Sequence, residues 1–284
     1  MLPETARVRC NVRCFRQEEF WVWRCPGCAS IHARDEVDLD HYYGAYPKFP
    51  VATERVRHAA FSGMVRRLVA AGLRPEHHII DYGCASGALV RYLKQRGYPH
   101  VWGYDPYTVG FDDPGVLDRT YDCVLSQDVI EHVAEPLQLL ADFDALAAPS
   151  ALVVIGTPDA AAIDLADPES YVHALHAPYH RHILSAKALR AAGEERGWTL
   201  ERFYSTMYAN RLLPGENARF GLHYMRVHDD CLDLLTEPMK LGNLRLWSPR
   251  GWFLAMFGYF LDRHTDVQFV FRRSAGPGAD NKER

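Results

Sequence analysis

Short apolar runs alternate with amphipathic segments along most of the chain. Apolar runs of about 4–8 residues bounded by turn residues are typical of buried strands, whereas apolar residues at every third or fourth position are typical of helices. The pattern predicts helices at 53–72, 87–96, 136–146 and 185–196, and strands at 78–82, 100–104, 122–126, 151–156, 199–204 and 266–272. Such alternation predicts an α/β fold with a doubly wound parallel sheet covered on both faces.

The turn after the first strand, in IIDYGCASGALVRYL at 79–93, consists of small residues. Small residues at a strand-to-helix turn let the backbone approach a ligand closely. The turn lacks the Lys-Ser or Lys-Thr pair of a P-loop. Alanines replace the second and third glycines of a dinucleotide-binding turn. The motif that remains is Asp81-x-Gly83-x-Ala85-x-Gly87.

Polar residues also follow the next strands. In an open α/β sheet, ligands bind at the carboxyl ends of the strands. Asp105 ends the second strand, 24 residues after Asp81, where a carboxylate can accept both hydroxyls of a ribose. SQDVIEH at 126–132 and GTPDA at 156–160 end two further strands. We expect these groups to meet at one edge of the sheet.

Four segments in this order, IIDYGCASGALVRYL, VWGYDPY, YDCVLSQDVIEHVAEP and ALVVIGTPD, resemble class I S-adenosylmethionine (SAM)-dependent methyltransferases. They are most similar to the branch of ubiquinone-type O-methyltransferases and small-molecule methyltransferases with an N-terminal zinc ribbon. The resemblance covers residues 50–204 and 264–273. It implies a Rossmann-like fold, SAM as cofactor and methyl transfer as the activity. A cationic ligand such as SAM tolerates nearby carboxylates, which a pyrophosphate would not.

The resemblance also implies which residues bind SAM. The small-residue turn approaches the amino acid part of the cofactor, Asp105 holds the ribose, and Gln127 and Asp128 lie beside the sulfonium and the adenosine. Tyr43, with its neighbours Tyr42 and Tyr46, covers SAM or shapes the acceptor site. The complete predicted set is Asp81, Gly83, Ala85, Gly87, Asp105, Pro106, Asp112, Gln127, Asp128 and Tyr43.

Two features depart from the family pattern. The family usually has Gly where Ala85 stands, and alanine loses the left-handed conformation that glycine adopts freely. Only PYTVGFDDPGVLDRT separates Asp105 from the next strand, where the family fits a helix and a short strand that contribute an adenine contact. We expect Phe111, Asp112 or Asp113 to make that contact. An alternative role for Asp105 is a turn residue or helix N-cap.

Four histidines fall within ten residues of HALHAPYHRHILS, at 173–185. Methyl transfer needs an aligned nucleophile, and a base assists when the acceptor is a hydroxyl or a protonated amine. Histidine titrates closest to neutrality. The candidate catalytic residues are therefore His176, His180 and His182, together with His132 of DVIEH. The alternatives are a divalent metal held with nearby carboxylates, or structural roles, with Ser185 as a helix N-cap.

Four of the seven cysteines lie in the first 28 residues, as Cys10-x3-Cys14 and Cys25-x2-Cys28 around QEEFWVWR. In a chain without an evident export signal, clustered cysteines indicate metal before disulfides. Two thiolate pairs joined by a hairpin predict a structural zinc site that holds a zinc-ribbon-like unit at 1–34 together. Free thiols are the alternative.

The division of the rest of the chain into segments follows from its composition. An aromatic connection at 35–58 leads into a SAM-binding domain at 59–273, and a helical insertion at 205–262 precedes the last strand. The tail at 274–284 is predicted to be disordered. The insertion could form an acceptor lid or an oligomer contact, in which Arg211 or Arg226 would bind an acidic acceptor. Its stretch GWFLAMFGYFL is too short to cross a membrane and is expected to be buried, or to be an interface if exposed.

Charge and composition narrow the function. The 284 residues are 48% hydrophobic and 24% charged, which suits one large domain with an appendage. The net charge of −4 argues against wholesale binding of nucleic acid or anionic membranes. The start, MLPETARVRC, lacks the apolar core of a signal peptide, so we expect a cytoplasmic protein.

The leading hypothesis is a SAM-dependent methyltransferase that acts on O, N or C of a small-molecule acceptor in specialised metabolism. The second is a SAM-fold enzyme with another reaction, such as cyclisation, or an inactive partner subunit. In the third, the arginines and aromatic residues of 1–34 dock RNA or a carrier protein. That hypothesis ranks lowest, because the chain as a whole carries a net negative charge.

Overall fold

The computed structural model describes residues 4–47, 54–206, 210, 214–261 and 265–275, with only the backbone for 54–59. Arg211 and most of the predicted disordered tail lie outside the described residues. The strands are β1 (Thr5–Arg9), β2 (Glu19–Arg24), β3 (Ile31–Ala33), β4 (Ile79–Tyr82), β5 (Val101–Tyr104), β6 (Tyr121–Gln127), β7 (Ala147–Pro158), β8 (His182–Ile183), β9 (Trp198–Tyr204) and β10 (Asp266–Arg273). The α-helices are α1 (Leu39–Gly44), α2 (Glu54–Ala70), α3 (Ala88–Gln95), α4 (Pro136–Leu146), α5 (Val172–Leu175), α6 (Ala186–Glu195), α7 (Ala218–Val227) and α8 (Pro249–Phe257).

The central sheet has six strands in the order β5-β4-β6-β7-β10-β9. Strands β4 to β7 are parallel, whereas β10 runs antiparallel to both of its neighbours. The order reverses between β4 and β6, so the strand ends at this point open a crevice at the carboxyl edge of the sheet.

Helices cover both faces of the sheet, which confirms the predicted α/β, doubly wound, Rossmann-like fold class. On one face α2 and α3 form a core with β4 and β6 that includes Met64, Leu93 and Leu125. On the other face α4 and α6 form a core that includes Phe143 and Leu189. Each fully buried side chain of this kind contributes about 1.5–3 kcal/mol by leaving water.

The connection between β5 and β6 is short. It contains a loop and a 3₁₀ helix (Pro114–Asp118), and no strand. The sheet therefore lacks the extra helix and strand that the resemblance places after Asp105. As a result, β5 is an edge strand, and the loop that follows Asp105 lies directly against the small-residue turn.

The N-terminal strands do not form a separate unit. They build a four-stranded sheet in the order β1-β2-β3-β8, whose last strand comes from the histidine-rich segment. The apolar faces of β1 and β2 share one core with residues 160–183, which includes Val8, Val22, Leu175, Tyr179 and Ile183. Burial against the larger domain thus supplies the core that we expected zinc to replace.

The insertion between β9 and β10 contains α7 and α8. Small residues of α8 and the turn after it, Gly251, Ala255 and Gly258, are buried. The expectation that GWFLAMFGYFL is buried is therefore wrong for its large side chains, and the alternative of an interface stays a prediction. Only its small residues allow a close approach to neighbouring backbone, and the exposed large side chains include Trp252, Phe253, Phe257 and Phe260. Among the described residues, no helix has the length and apolar character that crossing a membrane requires.

Candidate functional site

The carboxyl ends of β4 and β5 bring Asp81 and Asp105 together. The two strands are parallel and in register, with Tyr82 opposite Tyr104. The Asp81 side chain is 5% exposed, and its carboxyl makes no hydrogen bond with the residues that the structure describes. Burial, together with the negative charge of Asp105, raises the pKa of Asp81 to about 7. A nearby cation would stabilise such a carboxylate.

The turn between β4 and α3 has three residues in the left-handed conformation. The φ angles are +77° at Gly83, +45° at Ala85 and +68° at Gly87. A Cβ at Gly83 would lie 2.2 Å from Val129, and one at Gly87 would lie 2.0 Å from Phe111, so these positions require glycine. The expectation that alanine loses this conformation is wrong at Ala85. Its strain of about 1–2 kcal/mol is offset by the hydrogen bond that its amide donates to Asp105.

Asp105 organises the loop that follows β5. Its Oδ2 accepts the Ala85 amide and its Oδ1 accepts the Tyr107 amide, each at 2.9 Å. Each oxygen keeps a second lone pair that a ribose hydroxyl could use. The next residue, Pro106, is exposed at the edge of the crevice.

The three expected adenine contacts have different positions. Phe111 is partly buried against Gly87 and Gly103. The carboxylates of Asp112 and Asp113 accept amides of their own loop, from Gly110 and Gly115. Both carboxylates are exposed. The adenine contact therefore stays a prediction.

Gln127 and Asp128 end β6 on the other side of the crevice. The Gln127 side chain lies across Gly156, where a Cβ would come within 1.9 Å of Oε1. Gln127 donates to Asp128 at 2.9 Å. Asp128 is accessible from the crevice. Loss of hydration among the surrounding residues raises the pKa of Asp128 to about 6, whereas the hydrogen bond from Gln127 acts to lower it.

Three of the four predicted catalytic histidines form a cluster beside Asp128. The ring centroids of His132 and His180 are 4.7 Å apart, and those of His176 and His180 are 4.9 Å apart. Burial lowers the pKa of His132 to about 4. Burial and the adjacent imidazoles hold the pKa values of His176 and His180 well below the usual range. All three rings are therefore uncharged at neutral pH.

Tyr43 of α1 and Tyr46, two residues after the helix, lie over this cluster. The hydroxyl of Tyr43 is 3.1 Å from Nδ1 of His132, and that of Tyr46 is 3.2 Å from Nε2 of His176. The helix begins after Asp38, whose carboxylate accepts the first amides as an N-cap. The cap and the aromatic contacts with Tyr179 hold α1 in place over the crevice.

A chain of hydrogen bonds leads from the cluster to the insertion. Nδ1 of His176 donates to Oδ1 of Asn11 at 2.6 Å, and Nδ2 of Asn11 donates to Nδ1 of His173 at 3.1 Å. His173 in turn donates to Asp230 at 2.9 Å, and Asp230 pairs with Arg9. The N-terminal segment thus orients His176.

Glu131, the residue before His132 in DVIEH, was not among the predicted site residues. Its side chain is fully buried, and Oε2 accepts the Thr157 hydroxyl at 3.0 Å. Oε1 has no hydrogen-bond partner among the described residues and lies 3.9 Å from Nε2 of His180. Burial and the charge of Asp128 raise the pKa of Glu131 well above its usual range. Its position next to a predicted catalytic histidine is the sequence feature that could have identified Glu131 as a site residue.

The fourth predicted catalytic histidine, His182, lies outside the cluster. It is in β8 and pairs with His32 of β3. Its Nδ1 is 2.9 Å from Nδ1 of His32, and its Nε2 donates to the carbonyl of Ala134. Strand pairing thus places His182 with His32 rather than with the other three rings, and its catalytic role stays a prediction. Ser185 caps α6, accepting the Ala188 amide.

The four N-terminal cysteines do not meet. Cys10 follows β1, and its amide donates to the carbonyl of Glu18. Cys25 follows β2 and therefore lies at the opposite end of the hairpin. Cys14 lies near Cys10, and Cys28 in the same turn as Cys25. The six residues of β2 separate the pairs by roughly 20 Å. The predicted four-thiolate zinc site is not formed. Among the described residues, the one group of three such ligands within 4.8 Å is Glu131, His132 and His180.

The carboxylates at this edge of the sheet fit SAM as a ligand. Within the described part of the chain, the buried Asp81 carboxyl has no hydrogen-bond partner, and Asp105 has lone pairs available for hydroxyls. Asp128 adds a third carboxylate at the same edge. None of the three forms an ion pair with a described basic residue, and such a group suits a ligand with ammonium and sulfonium charges.

Residues 54–202, just over half of the chain, match the family model described as a methyltransferase domain. The chain therefore belongs to this family, and it is a class I SAM-dependent methyltransferase. No curated protein matches its sequence at a significant level.

Several solved structures are similar to this chain at low sequence identity. A protein of Galdieria sulphuraria named as a sarcosine dimethylglycine methyltransferase is 16% identical, with a TM-score of 0.48 over 84% of this chain and 97% of that one. A chain of a methyltransferase–activator complex from Haloferax volcanii is 13% identical, with a TM-score of 0.48 over 78% and 92%. Magnesium protoporphyrin IX methyltransferase of Synechocystis PCC 6803 with bound S-adenosylhomocysteine is 15% identical, with a TM-score of 0.46 over 83% and 94%.

Proposed function

We propose that this protein transfers the methyl group of SAM to O or N of a small-molecule acceptor bound between Asp128 and the histidine cluster. The observation that carries the proposal is the meeting of two chemically different groups at one sheet edge. Carboxylates suited to a sulfonium cofactor end β4, β5 and β6. Uncharged imidazoles lie next to the last of them.

On the cofactor side, Asp81 faces the amino acid part of SAM and Asp105 the ribose. Both carboxylates already lie at the turn before SAM binds, so little reorganisation is needed. The backbone of the turn is fixed by the Asp105–Ala85 hydrogen bond. SAM, when bound, supplies an electrophilic methyl group.

On the acceptor side, a hydroxyl or a protonated amine must lose its proton as it attacks. A proton acceptor must itself be unprotonated at the working pH, a condition that the low pKa of His132 satisfies. His132 is half-buried, so it remains accessible from the crevice. Tyr43 and Tyr46 lie over the same rings and help to exclude water from the reacting groups.

A small acceptor is favoured over nucleic acid because the chain carries a net charge of −4 and the site itself is acidic. The N-terminal strands, which could have formed a separate docking module, share a core with the methyltransferase domain.

The test begins with S-adenosylhomocysteine titrated into the full chain by calorimetry. Asp105→Ala should lower its affinity at least tenfold, whereas Asp118→Ala, which removes an exposed carboxylate from the same connection, should not. A thermal melt of each variant checks the fold. Unchanged affinity in Asp105→Ala, or no binding by the wild type, contradicts the cofactor assignment.

Acceptors are then sought by incubating the enzyme with SAM and a panel of phenols, carboxylic acids and amines. Mass spectrometry should detect a product heavier by one methylene group and an equal amount of S-adenosylhomocysteine. A product formed without consumption of SAM would instead support a non-methyl-transfer reaction such as cyclisation.

A further inference from the structure

Two buried acceptor atoms, of Glu131 and His180, lie close together, and no described residue donates a hydrogen bond to the carboxylate one. Nδ1 of His180 lies 2.9 Å from the carbonyl oxygen of Ala174, which can only accept, so Nδ1 carries the proton. In the neutral ring, Nε2 therefore carries no proton and has a lone pair available. It lies 3.9 Å from Oε1 of Glu131, which is too far for a hydrogen bond.

The residue Glu131 is fully buried, and its Oε2 accepts a hydrogen bond from Thr157. Among the residues that the structure describes, Oε1 has no hydrogen-bond partner. A buried acceptor left unsatisfied costs about 1–3 kcal/mol. The cost disappears if a cation lies between the two lone pairs.

The distances suit a metal ion. A divalent cation at about 2.0–2.2 Å from an imidazole nitrogen and a carboxylate oxygen can bridge a separation of up to about 4.2 Å. The observed separation is 3.9 Å. One ligand atom from each of Glu131, His132 and His180 lies within 4.8 Å of the others. To bind the same ion, His132 would have to move by roughly half an ångström and exchange its hydrogen bond with the Tyr179 backbone for the metal.

The neighbouring histidines are excluded as ligands by their own hydrogen bonds. His176 uses both ring nitrogens, for Asn11 and Tyr46. His173 uses both, for Asn11 and Asp230. His182 lies away from the crevice, with His32 and Ala134 as partners. Of these histidines, His180 therefore keeps a ring nitrogen for a metal.

We propose that Glu131, His132 and His180 form a binding site for a divalent first-row transition cation, such as Zn²⁺ or Fe²⁺, with two imidazoles and one carboxylate as ligands. Three protein ligands leave at least one coordination position open. Asp128 is close enough to act on Glu131 by its charge, and it opens to the crevice.

The metal would serve the acceptor side of the reaction in place of His132, because a metal-bound imidazole cannot also accept a proton. A cation there lowers the pKa of a coordinated acceptor hydroxyl and so favours hydroxylated acceptors over amines. This last step rests on the proposed function, whereas metal binding itself does not.

The experiment is a zinc titration of the full chain after removal of metals with a chelator. Both thiols of the exposed Cys25/Cys28 turn are replaced by serine in every sample, so that they cannot compete for zinc. We expect one equivalent of Zn²⁺ to bind, with at least a tenfold loss of affinity in Glu131→Gln and in His180→Gln. His182→Gln, a histidine of the same segment outside the cluster, should bind as the parent does.

Cobalt substitution adds a second readout, because its visible spectrum distinguishes nitrogen and oxygen ligands from thiolates. Absence of stoichiometric zinc binding overturns the proposal, as does binding that survives both variants. S-adenosylhomocysteine titrated into the same samples separates the two proposals. If the protein binds S-adenosylhomocysteine but not zinc, the metal site alone is contradicted. If it binds zinc but not S-adenosylhomocysteine, the proposal that the crevice binds the methyl donor is contradicted.

Discussion

The hydroxyl of Tyr43 lies 3.1 Å from Nδ1 of His132 and thereby joins α1 to the end of β6. This contact orients the His132 ring, which also has a hydrogen bond with the Tyr179 backbone. The adjacent Tyr42 points elsewhere, with its hydroxyl donating to Glu18 at 2.7 Å. Two neighbouring tyrosines thus have separate partners, which makes them a matched pair for mutation.

Tyr43→Phe should lower zinc affinity about tenfold, since partners that orient a metal-binding histidine typically contribute 10–100-fold. Affinity for S-adenosylhomocysteine should stay within about twofold. Tyr42→Phe should change neither quantity. Calorimetry of both ligands measures the outcome. A large loss of cofactor affinity in Tyr43→Phe would instead support the cofactor contact that the family resemblance implies.

The buried carboxyl of Asp81 predicts a pH dependence of cofactor binding. Its folded-state pKa is raised to about 7, so in the free protein it is mostly protonated at pH 5.5 and about half ionised at pH 7. Because a cationic ligand binds the ionised form, SAM affinity should rise roughly tenfold over this range. Asp81→Asn should bind weakly and lose most of this slope.

The same shift affects the stability of the free protein in the opposite sense. A carboxyl with a raised pKa favours folding below its unfolded pKa, and that contribution is lost as the pH rises through 7. Urea unfolding of the wild type and of Asp81→Asn at pH 5.5 and 7.5 separates this effect from binding. A wild type with flat profiles for both affinity and stability would contradict the placement of Asp81.

Asn11 predicts a long-range contribution to stability. It bonds to His173 and to His176, and its side chain is fully buried. Asn11→Ala should lower the free energy of unfolding by about 2–3 kcal/mol, because it leaves buried polar groups unpaired. Urea unfolding measures the change. Arg7→Ala, which breaks the exposed Arg7–Glu19 ion pair, should cost less than 1 kcal/mol. Equal effects would mean that the Asn11 bonds contribute little.

The separated cysteines predict unequal reactivity. Hydrogen bonds from the amides of Cys28 and Gly27 lower the pKa of Cys25, whereas burial raises that of Cys10 to about 11. Iodoacetamide should therefore alkylate Cys25 many times faster than Cys10, as peptide mass mapping would report. Equal protection of all four thiols, relieved by a chelator, would restore the zinc site predicted from the sequence.

Local patterns predicted the parts of the site that lie on single strand ends. Asp81, Asp105 and Asp128 follow apolar runs, and parallel pairing brings such ends to one edge of a sheet. Ser185 was recognised as a cap because it immediately precedes a helical pattern. These features depend on residues close together in sequence.

The features that sequence did not predict depend on pairing between distant segments. The spacing of the cysteines does not indicate that β2 holds the two pairs at opposite ends of a hairpin. Nor does the histidine-rich stretch indicate which rings enter the crevice, because β8 pairs with β3, about 150 residues earlier. The conformation of Ala85 is set by Asp105, 20 residues away.

The pairing of β3 with β8 also sets an order of events during synthesis. Residues 5–33 can make their hairpins early, but the apolar face of those strands has its partners in 160–183. Until the ribosome has released this later segment, the first three strands expose that face to water or to chaperones. The amino-terminal residues of the chain are thus among the last to complete their packing.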